Sequence, residues 1–187
     1  RLIIDVRGER PLEISRLEVG RPRIEMSSVD LRAVVAEAAL ALAPIAAARG
    51  VRIETDAPAE LPQAHGDREK LGEVVANLLE NAGRYSPDGA AVEVTLFAPP
   101  PSRRVLLRVR DHGPGLGEGE AAFIFDRFRQ GRPSPWTAPG GFGLGLYVVK
   151  SYVELMGGVV TARNHPGGGA EFGVELPTCL DGPEEGA

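Results

Sequence analysis

The chain has little cysteine, no long apolar run and no excess of basic charge. Cys179 is the single cysteine among 187 residues, so an internal disulfide is excluded and an incidental thiol is expected. No apolar run approaches the roughly 18–20 residues of a membrane span, and no signal peptide is visible. Lys and Arg number 21 against 26 Asp and Glu, and the net charge of -5 argues against a dedicated binder of nucleic acid or anionic membranes.

Glycine and proline, by contrast, are abundant. The chain holds 24 Gly and 16 Pro among its 187 residues, which together make up about 21% of the chain. This share is above the average usage of roughly 12% but below the roughly 25–30% that is typical of low-complexity disorder. They concentrate in residues 111–145, which contain nine Gly and four Pro. This clustering predicts that residues 111–142 are loop-like, because glycine and proline are typical of turns and loops.

The hydrophobic pattern predicts three helices and several short strands. Apolar residues from Leu71 to Ala82 recur with a 3.6-residue period, which indicates a helix with one buried face. Asp30 and Asp67 are the predicted N-caps of the first two helices. Separate helices and hairpin-linked strands predict an α+β two-layer sandwich, with one mixed, mostly antiparallel sheet and three helices on one face. The third helix is predicted over Leu144–Met156 and the strands over Arg23–Met26, Val51–Thr55, Ala91–Phe97, Arg104–Arg110, Val159–Arg163 and Glu171–Leu176.

A length of 187 residues predicts one domain with short extensions, given roughly 150 residues per domain. Residues 1–22 are charged and broken by glycine and proline, so we expect a helix end or linker before a domain over residues 23–177. Residues 178–187 are polar, which predicts a disordered tail. The sequence begins at Arg1 rather than Met, from which we expect a piece of a longer protein.

A polar stripe formed by Asn77, Asn81 and Arg84 runs along the second predicted helix. At about 100° per residue, positions i, i+4 and i+7 share one face. An Asn carbonyl oxygen suits Mg²⁺, which takes phosphate oxygens among its other ligands, and a guanidinium matches phosphate charge. The stripe therefore predicts a site for a phosphorylated ligand and its metal, with a solvated helix face as the alternative.

Two glycine-rich segments complete the candidate site. In Asp111-His112-Gly113-Pro114-Gly115, a carboxylate leaves a predicted strand just before two glycines, where it can accept a hydrogen bond from an exocyclic amine. The second segment, Gly140–Leu146, lies at the head of the third helix, and a helix N-terminus attracts anions. It matches neither the P-loop nor the G-x-G-x-x-G pattern. The alternatives are a hairpin-like turn for the first segment and a flexible hinge for the second.

The order and spacing of these segments resemble the sequence boxes of sensor histidine kinases. The resemblance runs from about Val29 to Pro177, most of the chain, and four ordered boxes argue against coincidence. It implies the Bergerat ATP-binding fold with a mobile ATP lid over Phe125–Gly140. Asn77–Ser86 resembles the N box, Asp111–Gly115 the G1 box, Phe125–Phe128 the F box and Gly141–Leu146 the G2 box.

The resemblance also implies roles for individual residues, with ATP and Mg²⁺ as cofactors. Asn81 would bind the Mg²⁺ ion, Asn77 would support the phosphate side, and together with Arg84 they form the implied catalytic set. Arg84 and Tyr85 would contact the triphosphate or the base, and Asp111 would accept from the adenine N6 amine. The other implied nucleotide-binding residues are Gly113, Gly115, Leu116, Phe128, Gly141, Gly143, Leu144 and Gly145.

Four positions depart from patterns found among proteins of this fold. The family often has His where Met156 stands, which we expect to pack in the core. Many members have a hydroxyl residue where Ala170 and Glu171 stand, which puts a hydroxyl-mediated contact to the base in doubt. ATPases of the same fold carry a Glu at the position of Asn77 to activate water. An amide cannot act as a general base, so Asn77 favours phosphotransfer over hydrolysis.

The predicted function is to bind ATP·Mg and to donate the γ-phosphate to a histidine on an adjacent dimerisation domain in two-component signal transduction. None of His65, His112 and His165 has the setting of an acceptor, so the acceptor is expected elsewhere in the parent protein, with residues 1–22 as the remnant of its dimerisation helix. The implied partners are that domain and a response regulator, and no nucleic acid. We expect a homodimeric parent, a monomeric fragment and a cytoplasmic location, and leave a membrane anchor in the parent open. The alternatives are a nucleotide-sensing regulatory module without phosphotransfer and a binding module without nucleotide.

Overall fold

The structure is a computed structural model that describes residues 23–129 and 143–179. Over those ranges the chain forms helices, strands and one short 3₁₀ turn. The elements are β1 (Ser27–Val29), α1 (Leu31–Ala47), β2 (Arg52–Asp56), β3 (Ala64–Gly66), α2 (Arg68–Tyr85), β4 (Ala91–Phe97), β5 (Arg104–Arg110), the 3₁₀ turn (Glu120–Ala122), α3 (Gly145–Leu155), β6 (Val159–Asn164) and β7 (Ala170–Pro177).

Three predicted segments lie wholly or mostly outside these residues. They are the helix remnant at residues 1–22, the part of the lid and G2 box at residues 130–142, and residues 180–187 of the tail. In the two ranges that the structure describes, none of the helices is both long enough and apolar enough to cross a membrane.

Five strands form one mixed sheet in the order β2-β4-β5-β7-β6. β2 runs parallel to β4, and the other neighbouring pairs are antiparallel. The predicted hairpins β4–β5 and β6–β7 are therefore confirmed. β1 and β3 form a separate antiparallel pair, which a single bridge between Ala64 and Thr178 joins to the end of β7. The predicted α+β sandwich with a mixed, mostly antiparallel sheet and three helices is confirmed.

The hydrophobic core lies between the sheet and the helices. Every second residue of β4, β5 and β7 is buried, as expected for a sheet that is covered on one face. α2 packs against both α1 and α3. Burial of apolar surface contributes roughly 25 cal/mol per Å², so the apolar row of α2 fixes the rotation of the helix and hence the direction of its polar stripe. The row consists of Leu71, Val74, Val75, Leu78, Leu79 and Ala82.

Aspartate side chains begin two of the helices. Asp30 accepts from the backbone N–H of Arg32 (2.9 Å), and Asp67 accepts from that of Lys70 (3.1 Å), which confirms both predicted N-caps. Each cap satisfies an N–H group that the helix leaves unpaired, typically for ~1 kcal/mol. Asp67 also accepts from the backbone N–H of Glu25 (2.9 Å), which ties the residues before β1 to the start of α2.

The strands at the start of the domain differ from the sequence prediction. The strand predicted over Arg23–Met26 is wrong, because the chain pairs at Ser27–Val29 instead. The sequence does not predict its partner β3, since three residues are too few to show an alternating pattern. The other predicted strands and the third helix shift by at most one residue at either end.

The contacts of the sheet continue past Pro177, the predicted end of the domain. The backbone N–H of Thr178 donates to the carbonyl of Arg103, and that of Cys179 donates to the carbonyl of Gln63, each at 3.0 Å. The Cys179 thiol also approaches the carbonyl of Ala64 (3.3 Å). Thr178 and Cys179, the two residues after Pro177, are therefore hydrogen-bonded to the rest of the domain.

Candidate functional site

Asn77 lies beside the first residue of α3. Its Nδ2 donates to the backbone carbonyl of Glu73 (2.8 Å), which anchors the side chain on α2. A Cβ built on Gly145 would come within 2.9 Å of Asn77 Oδ1, so the glycine lets α3 begin against the carboxamide. The first N–H groups of a helix are unpaired and carry partial positive charge. The start of α3, which lies beside Asn77, is therefore suited to an anion.

Asn81 lies one turn further along α2, about 6 Å along the helix axis, and its side chain is half-buried. Within residues 23–129 and 143–179, nothing hydrogen-bonds its carboxamide, so the oxygen is available to a ligand. The described part of the chain holds no group of three His, Cys, Asp or Glu residues that could bind a metal. A cation at Asn81 would therefore need further ligands from a bound substrate, which is how Mg²⁺ commonly binds with phosphates.

Arg49 fixes the last turn of α2, which carries Arg84 and Tyr85. Its guanidinium donates to the carbonyl oxygens of Gly83 (2.7 Å) and Arg84 (3.2 Å). A cation at a helix C-terminus satisfies carbonyl groups that the helix leaves unpaired and complements the helix dipole. The sequence reasoning missed this residue. Its only signal is a cation just before the Gly50 turn, which does not reveal a contact with another helix.

Asp111 follows β5 directly and is 2% exposed. Its Oδ1 accepts from the backbone N–H groups of Gly113 (2.9 Å) and Ala170 (3.0 Å). Burial raises the pKa of this carboxyl, and the two hydrogen bonds only partly oppose the rise. None of the described residues donates a hydrogen bond to Oδ2. The side chain thus presents one open acceptor oxygen, which suits an exocyclic amine.

The loop that follows β5, residues 111–116, is called the Asp111 loop. Its glycines make room for other parts of the protein. A Cβ on Gly113 would lie 2.5 Å from the carbonyl oxygen of Tyr85, and one on Gly115 (φ 75°) would lie 2.6 Å from Asn164 Oδ1. Gly113 thereby lets the end of α2, which carries Arg84, lie against the loop that begins at Asp111. The sequence predicted glycine for close approach to a ligand, whereas here the close neighbour is the protein itself.

Gly169 should tolerate no side chain, while its neighbour Gly168 should tolerate a methyl group. Both have positive φ (80° and 89°), but a Cβ on Gly169 would overlap the carbonyl oxygen of Asp111, and one on Gly168 meets nothing within 4 Å. Gly168→Ala should therefore cost only the left-handed strain, about 1 kcal/mol. Gly169→Ala should cost about 3 kcal/mol or more, because Asp111 must move as well. Urea unfolding of the two variants measures both values, and equal losses would contradict the overlap.

Gly143 and Phe128 lie on either side of residues 130–142. Gly143 has φ 66°, and a Cβ there would overlap the carbonyl oxygen of Arg129. Phe128 is the one non-glycine residue with positive φ (61°) among the described residues, and it is 68% exposed. The structure therefore brings the predicted F box against the start of the described part of the G2 box.

Among the remaining predicted site residues, Leu144 and Leu116 form hydrogen bonds through their backbone groups. The carbonyl of Leu144 accepts from the N–H of Val148 (3.0 Å) at the start of α3. Both backbone polar groups of Leu116 bond to the carboxamide of Asn164. Gly141 lies outside the described residues. Asn164 is a second residue that the sequence reasoning missed, since an Asn at the end of a strand is too common to signal a role.

All three histidines have a neighbouring polar group, which for His65 is the Cys179 thiol (3.8 Å from Nδ1). His112 Nε2 lies 2.7 Å from Glu93 Oε1, and His165 Nδ1 accepts from a backbone N–H two residues further on (3.0 Å). Burial raises the pKa of Glu93, but the hydrogen bond from His112 and the charge of Arg110 outweigh it and hold the pKa below its usual value. His65 lies on β3 and is exposed. None of these residues lies on a helix, as an acceptor histidine would.

The residues that depart from the family pattern have clear neighbours. Met156 is buried, as expected, and its sulfur accepts from the backbone N–H of Asp67 (3.2 Å). Ala170 offers a backbone N–H to the site and no hydroxyl. Glu171 pairs with Arg163 (2.6 Å) on the opposite face of the sheet, since successive strand residues alternate between faces.

Comparison with known proteins assigns the chain to a family. The family model described as histidine kinase-, DNA gyrase B-, and HSP90-like ATPase matches residues 66–179. The chain is 37% identical over 169 residues to hybrid signal transduction histidine kinase D of Dictyostelium discoideum, with 89% of this chain and 11% of that protein covered. It is 39% identical over 166 residues to the adaptive-response sensory kinase SasA of Synechococcus sp. (strain CC9311), with 86% and 43% covered. The chain thus spans less than half of the length of these curated relatives.

The fold is also shared with solved structures. The crystal structure of full-length ShkA in complex with AMPPNP matches with a TM-score of 0.76 and 29% identity, over 91% of this chain and 35% of that one. The family match covers more than half of this chain and contains all four predicted boxes. The chain therefore belongs to the histidine kinase-, DNA gyrase B- and HSP90-like ATPase family, as an ATP-binding domain of the sensor histidine kinase type.

Proposed function

We propose that this domain binds ATP with Mg²⁺ and donates the γ-phosphate to a histidine on an adjacent dimerisation domain. The observation that carries the proposal is Asn77, whose carboxamide meets the start of α3 at the anion-binding end of the site. ATP hydrolysis would need a carboxylate there to take a proton from water, and an amide has no such basicity. The carboxylate of Glu73 lies one turn before Asn77 and is paired with Lys70 (2.5 Å), so it does not stand at the position of Asn77.

The base would bind at Asp111. Its Oδ1 is held by two backbone N–H groups, so Oδ2 keeps a fixed direction and can accept from the adenine N6 amine. A keto group at the same position of the base would place two acceptors against each other. A buried acceptor left without a donor costs about 1–3 kcal/mol, which would favour adenine over guanine.

The phosphates would bind between α2 and the start of α3. The helix N-terminus beside Asn77 offers N–H donors and positive potential there, and Arg84 at the end of α2 offers a cation. The open carboxamide of Asn81 fits Mg²⁺, which accepts a neutral oxygen ligand beside phosphate oxygens and water. When bound, Mg²⁺ would neutralise phosphate charge during transfer.

The transfer itself is a displacement at the γ-phosphorus. A ring nitrogen of the acceptor imidazole forms the new N–P bond, the bond to the β–γ bridging oxygen breaks, and ADP leaves. The proton on the other ring nitrogen is released. The described residues of this chain would orient the triphosphate and stabilise its charge, which is the main protein contribution to phosphoryl transfer.

The parent protein is proposed to work as a homodimer in the cytoplasm, where a membrane anchor would hold it at the cytoplasmic side of the membrane if it has one. A response regulator is the proposed final phosphate acceptor. The sensor histidine kinase type of the domain supports each of these features.

A trans-phosphorylation assay tests the proposal. The chain is mixed with Mg²⁺, γ-labelled ATP and a separately purified dimerisation domain from a sensor histidine kinase, and we expect label on the acceptor histidine. The matched control is the same domain with that histidine replaced. ATP binding without transfer to dimerisation domains of several relatives would favour a nucleotide-sensing module instead. No ATP binding by calorimetry would contradict the assignment of a nucleotide site altogether.

A further inference from the structure

Asn164, the last residue of β6, bonds to both backbone polar groups of one residue in the Asp111 loop. Its Oδ1 accepts from the N–H of Leu116 (2.6 Å), and its Nδ2 donates to the carbonyl of Leu116 (2.9 Å). A neighbouring β-strand would bond to the backbone N–H and C=O of a residue in the same way, with one acceptor and one donor. The carboxamide therefore extends the hydrogen bonding of the sheet edge to a loop that has no strand of its own.

The local backbone is shaped around this contact. Gly115 adopts φ 75°, and any side chain on it would press against Asn164 Oδ1. At the other end of the loop, Asp111 exchanges two hydrogen bonds with Ala170, one through its backbone N–H (2.9 Å) and one through Oδ1 (3.0 Å). The loop is thus tied to the β6–β7 hairpin at both ends, once through β7 and once through Asn164.

We propose that Asn164 is a positioning residue for the nucleotide base. It acts through Leu116 and has no assigned contact with the nucleotide, so it would set the geometry of the base pocket beside Asp111 and leave the phosphate end unchanged. Binding is stronger when the loop is already ordered, because less conformational freedom is lost on association. The proposal rests on the proposed ATP site and adds a residue that none of the four sequence boxes contains.

Asn164→Asp tests the contact with the smallest change. The carboxylate still accepts from the Leu116 N–H, but its second oxygen replaces the donor and faces the Leu116 carbonyl. The dissociation constant for ATP should rise roughly fivefold to tenfold, as for the loss of one hydrogen bond. The affinity for inorganic tripolyphosphate, which lacks a base, should stay unchanged. Asn164→Ser, which keeps one hydrogen bond at most, should give a smaller rise in the ATP constant.

Arg163→Ala is the matched control, because its side chain pairs with Glu171 on the other face of the sheet. A second measurement follows the free protein: amide hydrogen exchange at Leu116 should accelerate about tenfold in Asn164→Ala, with the global unfolding midpoint measured beside it. This exchange reports on the contact directly and needs no nucleotide.

The results separate this proposal from the proposed function. If the unchanged chain binds ATP and Asn164→Asp binds it equally well, the positioning role is overturned while the function stands. Equal losses for ATP and tripolyphosphate would also overturn it, since they would mean a general weakening of the fold. If the unchanged chain binds no ATP, both the function and this role fail, even where the Leu116 exchange confirms the contact.

Discussion

Replacing Asp111 by Asn should weaken ATP binding about 100-fold, ~2.7 kcal/mol, and should make the empty fold more stable. The Asn oxygen can still accept from Gly113 and Ala170, which hold Oδ1 in place. The amide NH₂ then takes the place of Oδ2 and faces the adenine N6 amine, donor against donor. Isothermal titration calorimetry measures the loss, and inosine triphosphate, with a keto oxygen at that position, should lose less than ATP.

The gain in stability follows from burial of an ionised group. Burial raises the pKa of Asp111 in the folded chain, so the ionised carboxylate costs stability above that raised pKa, and the cost disappears as the pH falls through it. Asp111→Asn removes the cost at neutral pH, and its free energy of unfolding should exceed that of the unchanged chain. Asp88→Asn, in an exposed turn, is the matched control and should change neither binding nor stability.

ATP affinity should change with pH in the opposite sense. An ionised Asp111 is the better acceptor. The unchanged chain should therefore lose affinity as the pH falls through the pKa of this carboxyl, which burial raises above its ordinary value. ATP itself titrates in acid, and the measured quantity is therefore the difference between the unchanged chain and Asp111→Asn. A constant difference across the acid range would contradict the role given to this carboxylate.

The helix face that carries Asn77 and Asn81 could be predicted because its signals are local. The apolar row from Leu71 to Ala82 sets the buried face of α2, and the same rotation turns Asn77 and Asn81 away from the core. The Asp67 cap marks where the helix begins, and the structure confirms it. Within one helix, the spacing of residue types determines which side chains lie side by side.

The reasons for several glycines could not be predicted, because the atoms that exclude a side chain come from distant parts of the sequence. Asn164 meets Leu116 across 48 residues, and Ala170 meets Asp111 across 59. The sequence marks such glycines as special but does not say what lies against them. The same holds for Arg49, whose partners at the end of α2 become neighbours only when the two helices pack.

Asn81→Ala should lower the rate of phosphotransfer at least about 100-fold, because it removes the oxygen proposed to bind Mg²⁺ beside the phosphates. Its carboxamide forms no hydrogen bond with any described residue, so the loss should come with little change in stability. Binding of ATP without Mg²⁺ should stay near that of the unchanged chain, whereas the increase in affinity on adding Mg²⁺ should disappear. Titrations of ATP with and without Mg²⁺ measure these two affinities.

Asn81→Asp distinguishes a metal ligand from a phosphate donor. The carboxylate keeps an oxygen for Mg²⁺ but loses the NH₂ donor and adds negative charge beside the phosphates. If Asn81 is a metal ligand, ATP binding by Asn81→Asp should become more dependent on Mg²⁺, and some phosphotransfer should be retained, since hard cations prefer charged oxygen ligands. If Asn81 instead donates to phosphate, Asn81→Asp should lose as much phosphotransfer as Asn81→Ala at every Mg²⁺ concentration. That result would contradict the role of Asn81 as a metal ligand. Glu69→Gln, an 82% exposed side chain in the first turn of the same helix, is the matched control and should retain full transfer.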